Sequence, residues 1–256
     1  MNHSNLYLAY LANESMEQSG IDALKDCFDK HFFINYPNEI SYSYNSRGFR
    51  DDEWPADNDL KDCTWCLGDS FTVGIGQPLK ETWPQLLQAK TRNRVINISM
   101  DGASNTWLAR KARYIIENIS PALIVIQWSY LPRRELADES LPDNERRLSH
   151  ALVRGNASNS EYKDFVKCFL DVETHKENTE VVHTFVPRWN GNESFRVIEE
   201  DGFWNTLVDY NKLKGVKVAI NSTQLDFARD SFHYGLKTST RYIKDILQLL
   251  DRKSVV

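Results

Sequence analysis

Apolar residues follow two patterns that alternate along the chain from about residue 61 onward. Short runs dense in branched apolar side chains are typical of buried strands and occupy residues 64–67, 94–98, 123–128, 181–186 and 216–220. Apolar residues spaced three and four apart predict helices over residues 82–90, 105–119 and 238–250. Strands that alternate with helices predict an α/β domain whose parallel sheet is covered by helices on both faces.

Two segments depart from this alternation. Residues 1–60 are polar and turn-rich apart from one predicted helix near residues 21–30, so we expect an irregular extension that packs on the main domain, residues 61–256. Residues 131–180 are long and polar, and we interpret them as a partly helical insertion. Thr82, directly before a predicted helix, is expected to cap its N-terminus.

Composition excludes several classes of protein. The 256 residues are 41% hydrophobic and 26% charged, as in an ordinary globular protein. A net charge of −5 without a Lys/Arg cluster argues against a nucleic-acid partner. No apolar run approaches the roughly 20 residues of a membrane span, and the first residues lack a secretory-signal pattern. We therefore expect a cytoplasmic protein with no membrane partner, of unspecified oligomeric state.

The four cysteines are too few for a disulfide scaffold. Cys63 and Cys66 form a CxxC pair at the start of the first predicted strand. The pair is open to three interpretations: buried structural thiols, which we favour, a redox pair, or half of a metal site whose second ligand pair is absent at plausible spacing.

A serine stands where chemistry is expected in such a sheet. Ligands of open parallel sheets bind at the carboxyl ends of the strands, and Gly68, Asp69 and Ser70 follow the first predicted strand. Backbone N–H groups of such a turn can also stabilise an oxyanion. The loop is neither a P-loop nor the G-x-S-x-G elbow of α/β-hydrolases. Taken alone, Ser70 could equally be a loop serine that caps the next helix.

A nucleophilic serine needs a base, and the base needs a carboxylate that orients it. Asp230 and His233 stand three residues apart between the last predicted strand and the last helix. Of the six histidines, only His233 combines a nearby acid with a position at a strand end. The competing interpretation is that Asp230 caps the last helix and that His233 is an ordinary loop residue. His183, inside a predicted buried strand, is expected to be a core histidine.

Together these segments resemble the SGNH/GDSL hydrolases. Gly68, Asp69 and Ser70 match the family's first block, and Asp230 with His233 matches its fifth. Gly102, after the second strand, matches the glycine of the second block, and residues 45–50 and 81–84 resemble phrases common around it. The resemblance covers about residues 45–250. It implies a three-layer α/β/α, flavodoxin-like fold with a parallel central sheet.

The resemblance also implies roles for these residues. Ser70 would be the nucleophile, His233 the general base and then acid, and Asp230 the orienting carboxylate. The backbone N–H groups of Ser70 and Gly102 would bind the oxyanion. No metal and no organic cofactor is implied.

One departure concerns the third block, a Gly-x-Asn-Asp motif whose asparagine is an oxyanion donor. Here Ser129 takes the place of the glycine and Leu131 that of the asparagine, and leucine cannot donate. Losing one such donor costs about 10²–10³ in kcat. Four nearby side chains are candidates to replace it or to bind substrate: Gln127, Ser129, Arg133 and Arg134.

These features predict a serine esterase that acts through an acyl-enzyme. From the tendencies of the family, the substrate would be a small-molecule or carbohydrate ester, with removal of an acetyl group the favoured activity. Trp128 and Trp189 are the tryptophans expected to reach a sugar-binding cleft. The alternative is an SGNH-like carbohydrate-binding or structural module that has lost catalytic power.

Overall fold

The computed structural model describes residues 3–16, 40–148, 159–186, 216–219, 223–230 and 232–251. Its strands are β1 (Ser15–Met16), β2 (Tyr42–Ser43), β3 (Thr64–Gly68), β4 (Val95–Ser99), β5 (Leu123–Trp128), β6 (Arg134–Glu135), β7 (Arg147–Leu148), β8 (Glu180–Phe185) and β9 (Lys217–Ala219). Its α-helices are α1 (Ser70–Val73), α2 (Trp83–Thr91), α3 (Asn105–Asn118), α4 (Asp143–Arg146), α5 (Asn159–His175) and α6 (Leu236–Asp251). The predicted helix near residues 21–30 lies outside the described residues.

The central sheet has five strands in the order β4-β3-β5-β8-β9, and every pair is parallel. This order is the flavodoxin-like one, in which the chain reverses direction across the sheet beside the first strand. The predicted α/β fold with a parallel sheet is thereby confirmed. The register aligns Gly68 at the end of β3 with Ser99 at the end of β4, so the loops after these strands leave the sheet side by side.

The strands are apolar because both faces of the sheet are covered. Every residue of β3 and β4 is buried, and β5 is buried from Ile124 to Trp128. Helix α6 packs beside α2, while α5 packs on α3. Leu6, Leu8 and Phe49 belong to the same hydrophobic cluster as the sheet, so the described parts of residues 1–60 share this core.

Two local predictions can be compared with the structure. Thr82 is the N-cap residue of α2, but its hydroxyl donates to the carbonyl of Leu79 instead of capping the helix with its side chain. The predicted position of the N-cap is therefore confirmed, although the Thr82 side chain accepts no hydrogen bond from the helix. Within the predicted insertion, the described residues form β6, β7, α4 and the long helix α5.

Cys63 and Cys66 are both buried and unpaired, and burial raises the pKa of each thiol. Such thiols are unreactive because the thiolate is the nucleophilic form. Among the described residues, no cluster of three or more His, Cys, Asp or Glu side chains could hold a metal ion. None of the described helices combines the length and apolar character that crossing a membrane requires.

Candidate active site

The turn that carries Ser70 is built by its neighbours. Asp69 is the N-cap of α1, and its side-chain Oδ1 accepts a hydrogen bond of 3.0 Å from the N–H of Phe71. Ser70 is the first residue of the helix, where a backbone N–H has no acceptor within the helix. The sequence therefore folds into a short turn that presents Ser70 and a free N–H at the carboxyl end of β3.

The loop that carries His233 is held by Asp230. Oδ1 of this carboxylate accepts the backbone N–H groups of Phe232 and His233, at 3.1 and 3.0 Å, and Oδ2 is hydrogen-bonded to His233 Nδ1. Burial raises the pKa of Asp230, but the His233 ring and these hydrogen bonds lower it more, so the net shift is downward. The carboxylate is ionised and accepts a hydrogen bond from Nδ1–H of His233.

This hydrogen bond fixes which nitrogen of His233 is available for chemistry. With the proton on Nδ1, Nε2 carries the lone pair and can accept a proton. Nε2 is buried and has no hydrogen-bond partner among the described residues. A buried polar atom without a partner is rare and calls for an explanation.

The two loops are joined directly. The N–H of Arg229 donates to the carbonyl of Gly76 at 3.0 Å, and the ring centroids of Phe71 and His233 lie 4.5 Å apart. Gly76 has φ +77°, and a Cβ at this residue would lie 2.7 Å from the Cβ of Ala228. The loop after Ser70 therefore lies against the loop that carries His233, and only glycine allows this approach.

Gly102 lies beside the Ser70 turn. It has φ +72°, a backbone conformation that favours glycine. The N–H of Met100 donates to the carbonyl of Gly68 at 3.2 Å, which ties the loop of Gly102 to the residue that precedes the Asp69–Ser70 turn. Both segments in which the sequence predicts oxyanion donors therefore lie at the same edge of the sheet.

The four candidate replacements for the missing asparagine have different surroundings. Gln127 is fully buried: its Oε1 accepts from the Thr72 hydroxyl at 2.8 Å, and its Nε2 donates to the Tyr234 hydroxyl at 3.0 Å. Arg134 is half exposed and pairs with Glu161. The side-chain amide of Gln127 and the guanidinium of Arg134 are thus already bound to other residues, so we propose neither as a donor to substrate.

Ser129 and Arg133 instead converge on Asp69. The Ser129 hydroxyl donates to Asp69 Oδ2 at 2.6 Å, and Arg133 Nη1 donates to the same oxygen at 2.7 Å and to the Ser129 hydroxyl at 3.0 Å. Asp69 is fully buried, and the Arg133 side chain is only 4% exposed. Leu131, in the position of the family's asparagine, is buried and apolar.

Two residues that position the site were missed in the sequence. Asn105, the first residue of α3, binds the backbone of Ser129 twice, accepting its N–H at 2.8 Å and donating to its carbonyl at 3.1 Å. Arg50 donates to the carbonyls of Val73 and Gly74 at the end of α1. Arg50 lies in residues 45–50, which resemble a segment common in the family, but the sequence did not indicate its role. Nothing in the sequence pointed to Asn105.

The expectation for Trp128 is wrong. This side chain is fully buried and stacks on His183, with ring centroids 5.8 Å apart, because α5 covers this face of the sheet. Trp189 lies outside the described residues. A partly exposed aromatic ring beside His233 is instead that of Phe232, which is 36% exposed and packs edge-on against His233 at 5.1 Å.

The alternative in which Asp230 caps the last helix is also wrong. Asp226 does so, accepting the N–H groups of Lys237 and Thr238 at 2.9 Å each. Asp230 is left to bind the loop and ring of His233.

Comparison of the sequence with protein-family models and with curated proteins finds no match. Solved structures do match. The chain is similar to the crystal structure of TesA, with a TM-score of 0.51 and 17% identity over 74% of this chain and 98% of that one. It is equally similar to a member of the lipolytic G-D-S-L family from Veillonella parvula, with a TM-score of 0.50 and 18% identity over 74% and 98% of the two chains. The protein therefore has the α/β fold of the SGNH/GDSL lipolytic proteins.

Proposed function

We propose that the protein is a serine hydrolase of carboxylic esters. The observation that carries this proposal is the state of His233, whose Nδ1 is bound to an ionised Asp230 and whose buried Nε2 has no described partner. This ring contacts Phe71, the residue after Ser70, with ring centroids 4.5 Å apart. An oriented imidazole beside a serine is the arrangement that serine hydrolases share across unrelated folds.

The reaction follows from these roles. Ser70 Oγ attacks the ester carbonyl carbon while its proton passes to His233 Nε2, and the carbonyl oxygen becomes an oxyanion bound by the N–H groups of Ser70 and Gly102. The tetrahedral intermediate expels the alcohol, which takes the proton from His233, and leaves an acyl-enzyme. Water then repeats the attack with His233 as base and releases the acid and Ser70.

The substrate proposed is a small acyl ester of a carbohydrate, with acetyl the favoured group. Phe232 supports this choice, because its partly exposed ring stands beside His233 and an aromatic face suits the apolar face of a sugar ring. We expect Phe232→Ala to raise KM for an acetylated disaccharide more than for p-nitrophenyl acetate. Equal changes for both substrates would contradict a sugar-stacking role.

The first experiment compares p-nitrophenyl acetate hydrolysis by the wild type, Ser70→Ala and Ser140→Ala. Ser140 is an exposed serine whose hydroxyl donates to Asp138, so its variant is the matched control. We expect Ser70→Ala to lose at least about 10³-fold in kcat with an unchanged melting temperature, and Ser140→Ala to retain full activity. A fluorophosphonate label located on Ser70 by mass spectrometry would identify the nucleophile; full activity in Ser70→Ala would refute the proposal.

A second candidate is a binding module with little catalytic power, which the apolar Leu131 favours because it removes one expected oxyanion donor. It predicts saturable binding of acetylated oligosaccharides without turnover and without fluorophosphonate labelling. Isothermal titration with the same sugars used in the kinetic assays separates the two candidates, since turnover that depends on Ser70 excludes the second.

A further inference from the structure

Arg133 is a buried cation directly beside the turn of the proposed nucleophile. Its side chain is 4% exposed, and its guanidinium lies 5.2 Å from the ring of Tyr130. All the hydrogen bonds that the Arg133 side chain makes to the described residues come from one nitrogen, Nη1, to Asp69 and Ser129. Nε is buried and has no partner among the described residues.

A buried donor of this kind is costly unless something accepts from it. Leaving a buried donor unsatisfied costs about 1–3 kcal/mol, and more for a charged group. The carboxylate of Asp69 offsets the charge of the buried guanidinium. Of the Arg133 nitrogens, Asp69 accepts only from Nη1, so the other N–H groups of the guanidinium are left for an acceptor that arrives with the substrate.

The position of Arg133 indicates which acceptor that is. Asp69, to which it is bound, immediately precedes Ser70, so the guanidinium lies at the end of α1 where Ser70 and its free N–H stand. Leu131, two residues earlier in the same loop, carries no donor, and Gln127 is engaged by Thr72 and Tyr234. Among the candidates on this loop, Arg133 alone combines burial, contact with the Ser70 turn and unused donors.

We propose that Arg133 is a catalytic residue that donates a hydrogen bond to the oxyanion formed when Ser70 attacks the ester. This inference rests on the proposed ester hydrolysis. Charge-assisted hydrogen bonds are shorter and about twice as strong as neutral ones, so one guanidinium N–H replaces an amide donor without loss. Ser129 and Asp69 are positioning residues, because they hold Nη1 and thereby aim the rest of the guanidinium.

The test compares Arg133→Met, Arg133→Lys and Arg134→Met. Arg134 is the adjacent arginine, exposed and paired with Glu161, so its variant is a matched control for the loss of one positive charge. With p-nitrophenyl acetate, we expect kcat to fall by about 10²–10³ in Arg133→Met with little change in KM, and by less in Arg133→Lys. Arg134→Met is expected to retain wild-type kcat.

A second measurement separates an oxyanion donor from a merely structural residue. A trifluoromethyl ketone forms a tetrahedral oxyanion adduct with an active serine, and its affinity should fall in Arg133→Met by the same factor as kcat/KM. Added guanidinium ion should restore part of kcat in Arg133→Gly. Variants that lose affinity for the ketone only as far as they lose folded protein, measured by their melting curves, would overturn the proposal.

The outcomes also distinguish this inference from the function on which it rests. If wild type hydrolyses the ester through Ser70 but Arg133→Met keeps full kcat, the oxyanion role fails and ester hydrolysis stands. If Arg133→Met raises KM only for an anionic substrate such as p-nitrophenyl hemisuccinate, Arg133 binds a substrate carboxylate and the proposal is overturned. If wild type neither turns over nor labels, both fall.

Discussion

His183 and His233 are both buried beside a carboxylate, but they differ in how many ring nitrogens are hydrogen-bonded. Both are buried and both bind a carboxylate, Glu173 for His183 and Asp230 for His233. His183 uses both nitrogens, since its Nδ1 accepts from the indole N–H of Trp128 at 3.0 Å and its Nε2 is bound to Glu173 at 2.9 Å.

His233 uses one nitrogen and leaves Nε2 without a described partner. A histidine whose two nitrogens are both satisfied in the core can stabilise the fold but cannot take up a proton without breaking a bond. A carboxylate partner is therefore a poor guide to function by itself. The ring nitrogen that does not bind the carboxylate distinguishes the two histidines, since it is hydrogen-bonded in His183 and has no described partner in His233.

The largest effect that tests this comparison is expected for His233→Gln. Removing the base should lower kcat for p-nitrophenyl acetate by about 10²–10⁴, because glutamine holds no proton-accepting nitrogen. The free energy of unfolding, measured in urea, should change little. A variant that keeps wild-type kcat would assign the base to another residue.

His183→Gln should give the opposite pattern. The substitution breaks at least one of two buried hydrogen bonds, one of them to a charged partner, and should lower the free energy of unfolding by about 1–3 kcal/mol. The kcat of the folded fraction should stay at the wild-type value. A loss of kcat without a loss of stability would contradict the structural role of His183.

The stability of the wild type and that of His183→Gln should depend differently on pH. Burial lowers the pKa of His183 more than Glu173 raises it, so the folded state keeps this ring neutral while the unfolded chain takes up a proton near pH 6.5. Because the unfolded state binds more protons below that pH, this contribution to stability is present above about pH 6.5 and is lost as the pH falls. Asp51, whose pKa burial raises to about 6, acts in the opposite sense, but it is present in both proteins.

Stability measured from pH 7.5 to 5 should therefore fall less steeply in His183→Gln than in the wild type, since the Asp51 contribution cancels from the difference. Identical slopes in the two proteins would mean that His183 titrates normally in the folded state.

The smallest effect is expected for Gly76→Ala, which alters the position of His233 without touching its chemistry. A Cβ here would press on Ala228 in the loop of Asp230 and would also strain a residue with φ +77°. We expect about a tenfold loss in kcat, which corresponds to about 1.4 kcal/mol, and an unchanged pH profile. A changed pH profile would show that the substitution disturbs the Asp230–His233 pair itself.

The sequence predicts the parts of the molecule that depend on local patterns. The order of strands and helices follows from apolar spacing, and Asp230 with His233 could be found because one turn of chain brings them together. Contacts across the sheet could not be found in this way. Thr72 meets Gln127 across 55 residues, and Asp69 meets Arg133 across 64, so their pairing depends on the order of the strands.

The error at Trp128 has the same origin. The strand pattern correctly predicts β5, but the residues that cover its end belong to α5, which the sequence shows only as a polar insertion. Phe165 and Phe169 of that helix pack on Trp128 and enclose it. Whether an aromatic residue at a strand end lines a cleft or fills a core depends on a segment far away in the chain.

Beneath the proposed site, Trp83, Thr72, Gln127 and Tyr234 form a continuous chain of hydrogen bonds. Tyr234 is the one ionisable member of this chain, and burial raises its pKa well above the usual value, so the chain carries no charge at neutral pH. Because these four side chains keep the same charge, the electrostatic environment that they provide stays constant when a nearby group gains or loses a proton.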